Sequence, residues 1–262
     1  MRKPSSIASS RKKRFRDLSF NRMIPNILTL LALAAGLTAI RFGLDARWEH
    51  AVIAIVVAGI LDALDGRIAR LLKGSSKFGA ELDSLSDFVC FGVSPVLVLY
   101  LWTLRDSGRW GWVLVMLFAI CCGLRLARFN VMLEDHDAPQ WEARFFTGIP
   151  APAGGGLVLL PMVFSFQMGD EFFRQPWVAG LFMFVIAGML VSTIPTYSFK
   201  KLKISRRWIL PTMLIAGAIA VFLINAPWMT LSAIGIIYIA SIPISFRDHR
   251  ALKKSDPGRE TA

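Results

Sequence analysis

Between Leu61 and Pro95 the chain reads LDALDGRIARLLKGSSKFGAELDSLSDFVCFGVSP, which sets five acids, Asp62, Asp65, Glu81, Asp83 and Asp87, among apolar neighbours. Asp62 and Asp65 stand three residues apart and Asp83 and Asp87 four, so each pair occupies one face of a helix. Gly66 and Ala69 extend the first stripe, and Gly79 opens the second one turn before Asp83. Lys73, Gly74, Ser75 and Ser76 allow a short hairpin that would turn the two stripes face to face. A buried aspartate costs about 2.5 to 3.5 kcal/mol on insertion scales, so four left uncompensated would cost on the order of 10 kcal/mol. Converging carboxylates repel one another unless cations sit among them. An all-oxygen ligand set favours a hard divalent ion, Mg²⁺ or Mn²⁺. Salt bridges to Arg67, Arg70, Lys73 and Lys77 are the competing explanation, but they require no such pair of stripes. The bare surface at Gly66, Ala69 and Gly79 suits a flat ligand or, alternatively, close helix packing.

The elements that carry these stripes are membrane helices. Of 262 residues, 55% are hydrophobic and only 18% charged, with a mean hydropathy of +0.53, which excludes an ordinary soluble domain. A crossing needs roughly 20 mostly apolar residues. Apolar runs lie near 24–42, 50–72, 78–102, 110–131, 148–168, 176–198 and 208–246. The last is long enough for two helices and is broken at Asn225, Ala226 and Pro227. The expected fold is therefore an all-α polytopic membrane protein of about eight transmembrane helices. A basic tail, 1–23, precedes the transmembrane catalytic region, 24–246, whose last helix pair is 208–246; a hydrophilic tail, 247–262, follows.

Charge orients the chain. With both termini inside, 25 Lys and Arg fall on that side, and five, Arg41, Arg47, Arg105, Arg109 and Arg174, fall on the other. This bias places both termini and both acidic stripes at the cytosolic face. The net charge of +12 then reflects a bilayer surface and not nucleic acid. Ser5 to Asn21 reads either as an amphipathic segment lying on anionic lipid or as a disordered topogenic tail. No cleavable signal peptide is read at the start of the chain. Cys90, Cys121 and Cys122 lie in apolar stretches and predict no disulfide framework. His50, His136 and His249 have no nucleophilic-triad partner visible in the sequence.

The pattern Asp62-x2-Asp65-Gly66-x2-Ala69-Arg70-x8-Gly79-x3-Asp83-x3-Asp87 resembles the full signature of the CDP-alcohol phosphatidyltransferases. The resemblance implies an integral membrane enzyme that displaces CMP from a CDP-linked lipid with an alcohol nucleophile. It further implies that Asp62, Asp65, Asp83 and Asp87 hold a centre of two divalent metal ions, with Asp87 also the general base. Pro25, Asn26, Thr29, Asp62, Gly66, Ala69, Arg70 and Gly79 would bind the CDP moiety; for Pro25, Asn26 and Thr29 the plain alternative is helix initiation. A homodimer is implied by the resemblance alone, and a bacterial-type cytoplasmic membrane is the expected location. Elementary chemistry agrees, because two metals about 3.5 to 4 Å apart can clamp a diphosphate and a carboxylate can accept the proton of an attacking hydroxyl.

The signature does not name the acceptor. Gly123 to Asn130, reading GLRLARFN, and Gly148 to Gly156, reading GIPAPAGGG, are similar to segments of the branch of this family that uses L-serine. CDP-diacylglycerol and L-serine are then the expected substrates, giving phosphatidylserine and CMP. A serine carboxylate entering an acidic site needs a cation, and Arg125 and Arg128 stand three apart at a cytosolic helix end. Membrane anchoring or pairing with the aspartates would explain those arginines equally simply. Glycerol 3-phosphate or inositol phosphate as acceptor is the nearest alternative, and a divalent-cation transporter is the alternative from another class. The three glycines 154–156 suggest a close helix contact or room for substrate.

Overall fold

The computed structural model describes the backbone of residues 7–72, 76–134, 145–197 and 209–255. It is helical apart from one three-residue ribbon. In chain order the elements are α1 (Ile7–Leu44), α2 (Trp48–Leu71), α3 (Lys77–Asp87), a π-helical turn (Phe88–Val93), α4 (Ser94–Trp102), a 3-10 turn (Leu104–Ser107) and α5 (Arg109–Glu134). Then come β1 (Phe145–Thr147), α6 (Ala151–Leu157), α7 (Leu160–Met168), α8 (Asp170–Phe173), α9 (Pro176–Val191), β2 (Pro195–Tyr197), α10 (Ile209–Asn225) and α11 (Pro227–Ser255). Hairpin residues 73–75, histidine His136 and the basic stretch 198–208 lie outside the described residues, as do the side chains of 7–22 and of His249.

Among the described residues, five helical segments are long and apolar enough to cross a bilayer: Met23–Leu44, Lys77–Trp102, Arg109–Met132, Ala151–Met168 and Pro227–Arg247. Pro176–Val191 and Leu210–Asn225 are apolar but shorter. α2 has the length, yet Glu49, Asp62, Asp65 and Arg67 interrupt its apolar run. Several element boundaries differ from the sequence expectation. Pro25 lies inside a helix that starts at Ile7, so it does not open that helix. α9 stops at Val191 and does not reach 198, because a residue before proline avoids the helical region and Pro195 has no amide to donate. α11 runs on to Ser255, into the segment read as a hydrophilic tail. The ribbon was not anticipated; Phe145 pairs with Tyr197 and Thr147 with Pro195.

Proline also explains two interruptions within long segments. Pro95 cannot donate to the carbonyl of Phe91, and the chain accommodates this by widening into the π turn. Ser94 Oγ donates to the Val89 carbonyl at 2.9 Å, the same acceptor that takes the Ser94 backbone amide across the widened turn. Pro161 likewise follows the break between α6 and α7.

α4 is apolar all round and sits at the centre, with Val96, Val98 and Leu99 fully buried. Phe118 and Cys122 of α5, Met162 of α7, and Met183 and Leu190 of α9 share that core. α10 is equally apolar but exposed, including Leu210, Met213 and Ile224. On the face opposite the acids, Arg174 donates to Asp170 at 2.9 Å and to the Trp102 carbonyl at 3.3 Å, while Ser165 donates to the same Asp170 carboxylate. These bonds tie the α7–α9 corner to the end of α4. The Ser165 hydroxyl, followed by Arg174, holds the Asp170 carboxyl below its usual range.

The glycine triplet serves mainly packing. A Cβ on Gly154 would stand 2.8 Å from Leu190 Cδ2, and one on Gly155 would stand 2.9 Å from the Cα of Phe91 in the π turn. Backbone cannot yield as a side chain can. Gly155→Ala is therefore expected to destabilise the protein by about 1 to 3 kcal/mol, whereas Gly156→Ala, with nothing within 4 Å of the new atom, should not lower the melting temperature. Thermal unfolding of the two purified variants checks this contrast.

Candidate active site

The two acidic stripes meet as their spacing requires. α2 presents Asp62 and Asp65, and α3 presents Asp83 and Asp87. Carboxylate oxygens of Asp62, Asp83 and Asp87 all lie within 4.8 Å of one another. Asp62 and Asp87 approach within hydrogen-bonding reach, and Asp87 also feels the charge of Asp83. Asp87 Oδ1 is buried without a hydrogen-bond partner among the described residues. A carboxylate oxygen left bare beside two further carboxylates is an unstable arrangement by itself. The donor set is all oxygen, anionic and convergent, which fits a hard divalent cation.

Asp65 is placed differently. It is only 3% exposed and accepts a 2.6 Å hydrogen bond from Thr29 Oγ1 of α1. The same hydroxyl lies 3.1 Å from the Pro25 carbonyl one turn back. α1 thus borders the site through residues chosen in the sequence for nucleotide contact. Asn26 Oδ1 stands 2.9 Å from where a Cβ on Gly79 would be, so that glycine is the gap into which the asparagine fits. Ser76 caps α3 by accepting from the Gly79 amide at 3.0 Å.

Two stitches between α1 and the α3 segment were not read from the sequence. Ser86 Oγ donates to the Thr29 carbonyl at 3.2 Å, and Cys90 Sγ donates to the Ala32 carbonyl at 3.2 Å. Positions 79, 83, 86 and 90 fall at helical spacing, a signal present in the sequence once Gly79 and Asp83 are placed on one face. These contacts lock the helix that carries Asp83 and Asp87 against the helix that holds Asp65.

Gly66 has open space before it, with nothing within 4 Å of a Cβ position. Arg70 Nε donates to the Gly66 carbonyl at 2.9 Å, so this exposed guanidinium folds back along the ledge formed by Gly66 and Ala69. A phosphate resting there would meet a planar cation and no side-chain obstruction.

The two arginines of α5 part company. Arg125 is 7% exposed, lies 5.3 Å from the Phe129 ring and acts electrostatically on Asp87. Arg128 donates to the carbonyls of Val191 and Ser192 at 3.0 and 3.2 Å, satisfying acceptors at the end of α9. The structure therefore brings Arg125 into the acidic site and joins Arg128 to the α9 terminus. Asn130 Nδ2 donates to Ser84 Oγ at 2.9 Å, which adds a contact between α5 and α3.

Residues 22–191 match the CDP-alcohol phosphatidyltransferase family, and residues 207–243 match the related family described as CDP-alcohol phosphatidyltransferase 2. The chain belongs to the CDP-alcohol phosphatidyltransferase family, and its apolar helices make it an integral membrane protein. It is 36% identical over 233 residues to a CDP-diacylglycerol–serine O-phosphatidyltransferase of Mycobacterium tuberculosis, covering 88% of this chain and 80% of the relative. A protein of the same name from Helicobacter pylori is 36% identical over 185 residues, 69% of this chain and 74% of its own. One from Saccharomyces cerevisiae is 37% identical over 126 residues, 47% and 44% of the two chains.

Proposed function

We propose that this protein transfers the phosphatidyl group of CDP-diacylglycerol to the hydroxyl of L-serine, giving phosphatidylserine and CMP. The observation that carries the reading is the convergence of Asp62, Asp83 and Asp87 on the family signature, in a chain whose similarity to serine-transferring relatives extends over most of its length. Asp62, Asp83 and Asp87, with Asp65 completing the acidic set, would hold the divalent ions, two Mg²⁺ or Mn²⁺ per site. Such ions supply electrostatic stabilisation of the attacking and leaving oxygens.

The protein's own groups have distinct tasks. Asn26, Thr29 and Gly79, together with the ledge of Gly66, Ala69 and Arg70, hold the CDP portion. Arg70 neutralises charge on its phosphates. Asp87 accepts the serine hydroxyl proton as the hydroxyl oxygen bonds to the phosphatidyl phosphorus and the bond from that phosphorus to CMP breaks. Arg125 offers the serine carboxylate a buried cation beside Asp87. Arg128 supports this pocket from the α9 terminus.

The finer topology belongs to the same proposal. Eight crossings put both termini and the active site at the cytosolic face of a bacterial-type cytoplasmic membrane, which the 25-to-5 bias in basic residues supports. Acyl chains then stay in lipid while serine and CMP exchange with water. The family resemblance supports a homodimer. A cation pathway is less well supported, because the described residues contain one carboxylate cluster at one end of the bundle and no second cluster along a path.

The test is CMP release by purified protein given CDP-diacylglycerol and Mn²⁺ or Mg²⁺, with serine, glycerol 3-phosphate or inositol phosphate supplied separately. Release that depends on serine and metal is expected. Release with another alcohol alone would overturn the acceptor, and no release with any acceptor from folded protein would overturn the enzymatic reading.

A further inference from the structure

An apolar cavity of about 190 Å³ opens between α2, the α6–α7 segment and α11; Val52 and Val56 line one wall, Gly156 and Leu160 a second, and Gly235 the third. A second hollow of about 320 Å³ shares the lining residue Val56 and runs past Gly59, Ile60 and Ala63 to Arg67. Positions 52, 56, 59 and 63 lie on one helical stripe, adjacent to the stripe that carries Asp62. The hollow's lining residues face a different side of α2 from Asp62 but reach its level along the helix, so the track begins at the depth of the acidic site and leads from there toward Val52.

Its length and chemistry identify an occupant. From Asp62 back to Val52 the helix rises about 15 Å at 1.5 Å per residue. One leaflet of a bilayer with a hydrocarbon core about 30 Å thick has the same depth. The walls are aliphatic except for Tyr238 in the cavity and Arg67 at the end of the hollow nearest the charged residues. A fatty acyl chain fits such a surface, whereas serine or a nucleotide does not. Of the three consecutive glycines, Gly154 and Gly155 abut Leu190 and Phe91, but Gly156 faces open space and lines the cavity. Its missing side chain is what leaves the inner end of the track unfilled.

We propose that this track seats one acyl chain of the lipid donor and that Gly156 determines how long a chain is accepted. The inference rests on reading CDP-diacylglycerol as that donor. It adds a specificity-determining position some distance from any reacting atom.

The experiment compares CDP-diacylglycerols carrying ten-carbon and eighteen-carbon chains, with detergent-solubilised wild type, Gly156→Leu and Val56→Phe. Val56→Phe fills the same space from α2 and keeps the test informative if the α6 variant does not fold. Two readouts are taken: the affinity for each lipid by calorimetric titration, and the ratio of kcat/KM for long over short chains with serine. Wild type should favour the long chain, and filling the track should reduce that preference by about tenfold in both readouts, the effect of losing a few methylene contacts. Equal loss at both lengths, or an unchanged preference in folded variants, would overturn the proposal. Absence of serine-dependent turnover alongside the expected affinity pattern would instead overturn the acceptor reading and leave the acyl track standing.

Discussion

Asp87→Asn is expected to lower CMP release by about 10²- to 10⁴-fold, the range that a positioned general base contributes, while the protein stays folded and still binds divalent metal. The reasons are local. Asp87 has a buried oxygen with no hydrogen-bond partner among the described residues, and it lies between Asp62, Asp83 and the Arg125 charge. Asparagine preserves shape and one coordinating oxygen but cannot take a proton from serine. Single-turnover CMP release, together with Mn²⁺ titration of the same sample, separates the two contributions. Near-normal release would remove Asp87 from the role of base. Loss of metal binding in parallel with release would make it chiefly a ligand.

Asp83→Asn should act in two directions at once. Its carboxylate stands within 4.8 Å of those of Asp62 and Asp87. At that separation, and at an effective dielectric near 20, two like charges repel by about 3 kcal/mol. Removing one of them should raise the melting temperature of metal-free protein in chelator. It should also reduce the rise produced by Mn²⁺, because a ligand that binds only the folded state stabilises in proportion to the logarithm of its concentration over Kd. Activity should fall by about 10³-fold or more as the donor phosphates lose their counter-charge. A metal-free melting point that drops, with an unchanged response to Mn²⁺, would mean that Asp83 serves packing and not ligation.

These expectations draw on parts of the molecule that were unequally legible in the sequence. The acidic stripes were legible because helical spacing fixes which side chains share a face. Acids are also so costly in an apolar segment that their pattern carries information. The break before Pro227 was legible for a similar local reason, and α10 and α11 meet there. The π turn was not, although Pro95 was visible, because a proline can be met by a kink, a break or a widened turn, and the choice depends on what packs against it. The end of α9 falls earlier than the sequence suggests, since the uncharged run continues past Val191 to Phe199 while the helix does not.

The sequence by itself determined the membrane class, the family signature and the two carboxylate stripes. These are properties of composition and of periodicity within single helices. Only the tertiary structure decided that α4 is central while α10 lies at the periphery, although both are apolar throughout. Lipid and protein core are alike to a hydropathy scale, so burial in a membrane protein depends on packing among small residues and proline breaks. Packing also directed Asp65 to Thr29 and separated Arg125 from Arg128. Three residues apart, those arginines look equivalent in the sequence, but the helices around α5 give one a carboxylate and the other the carbonyls that end α9.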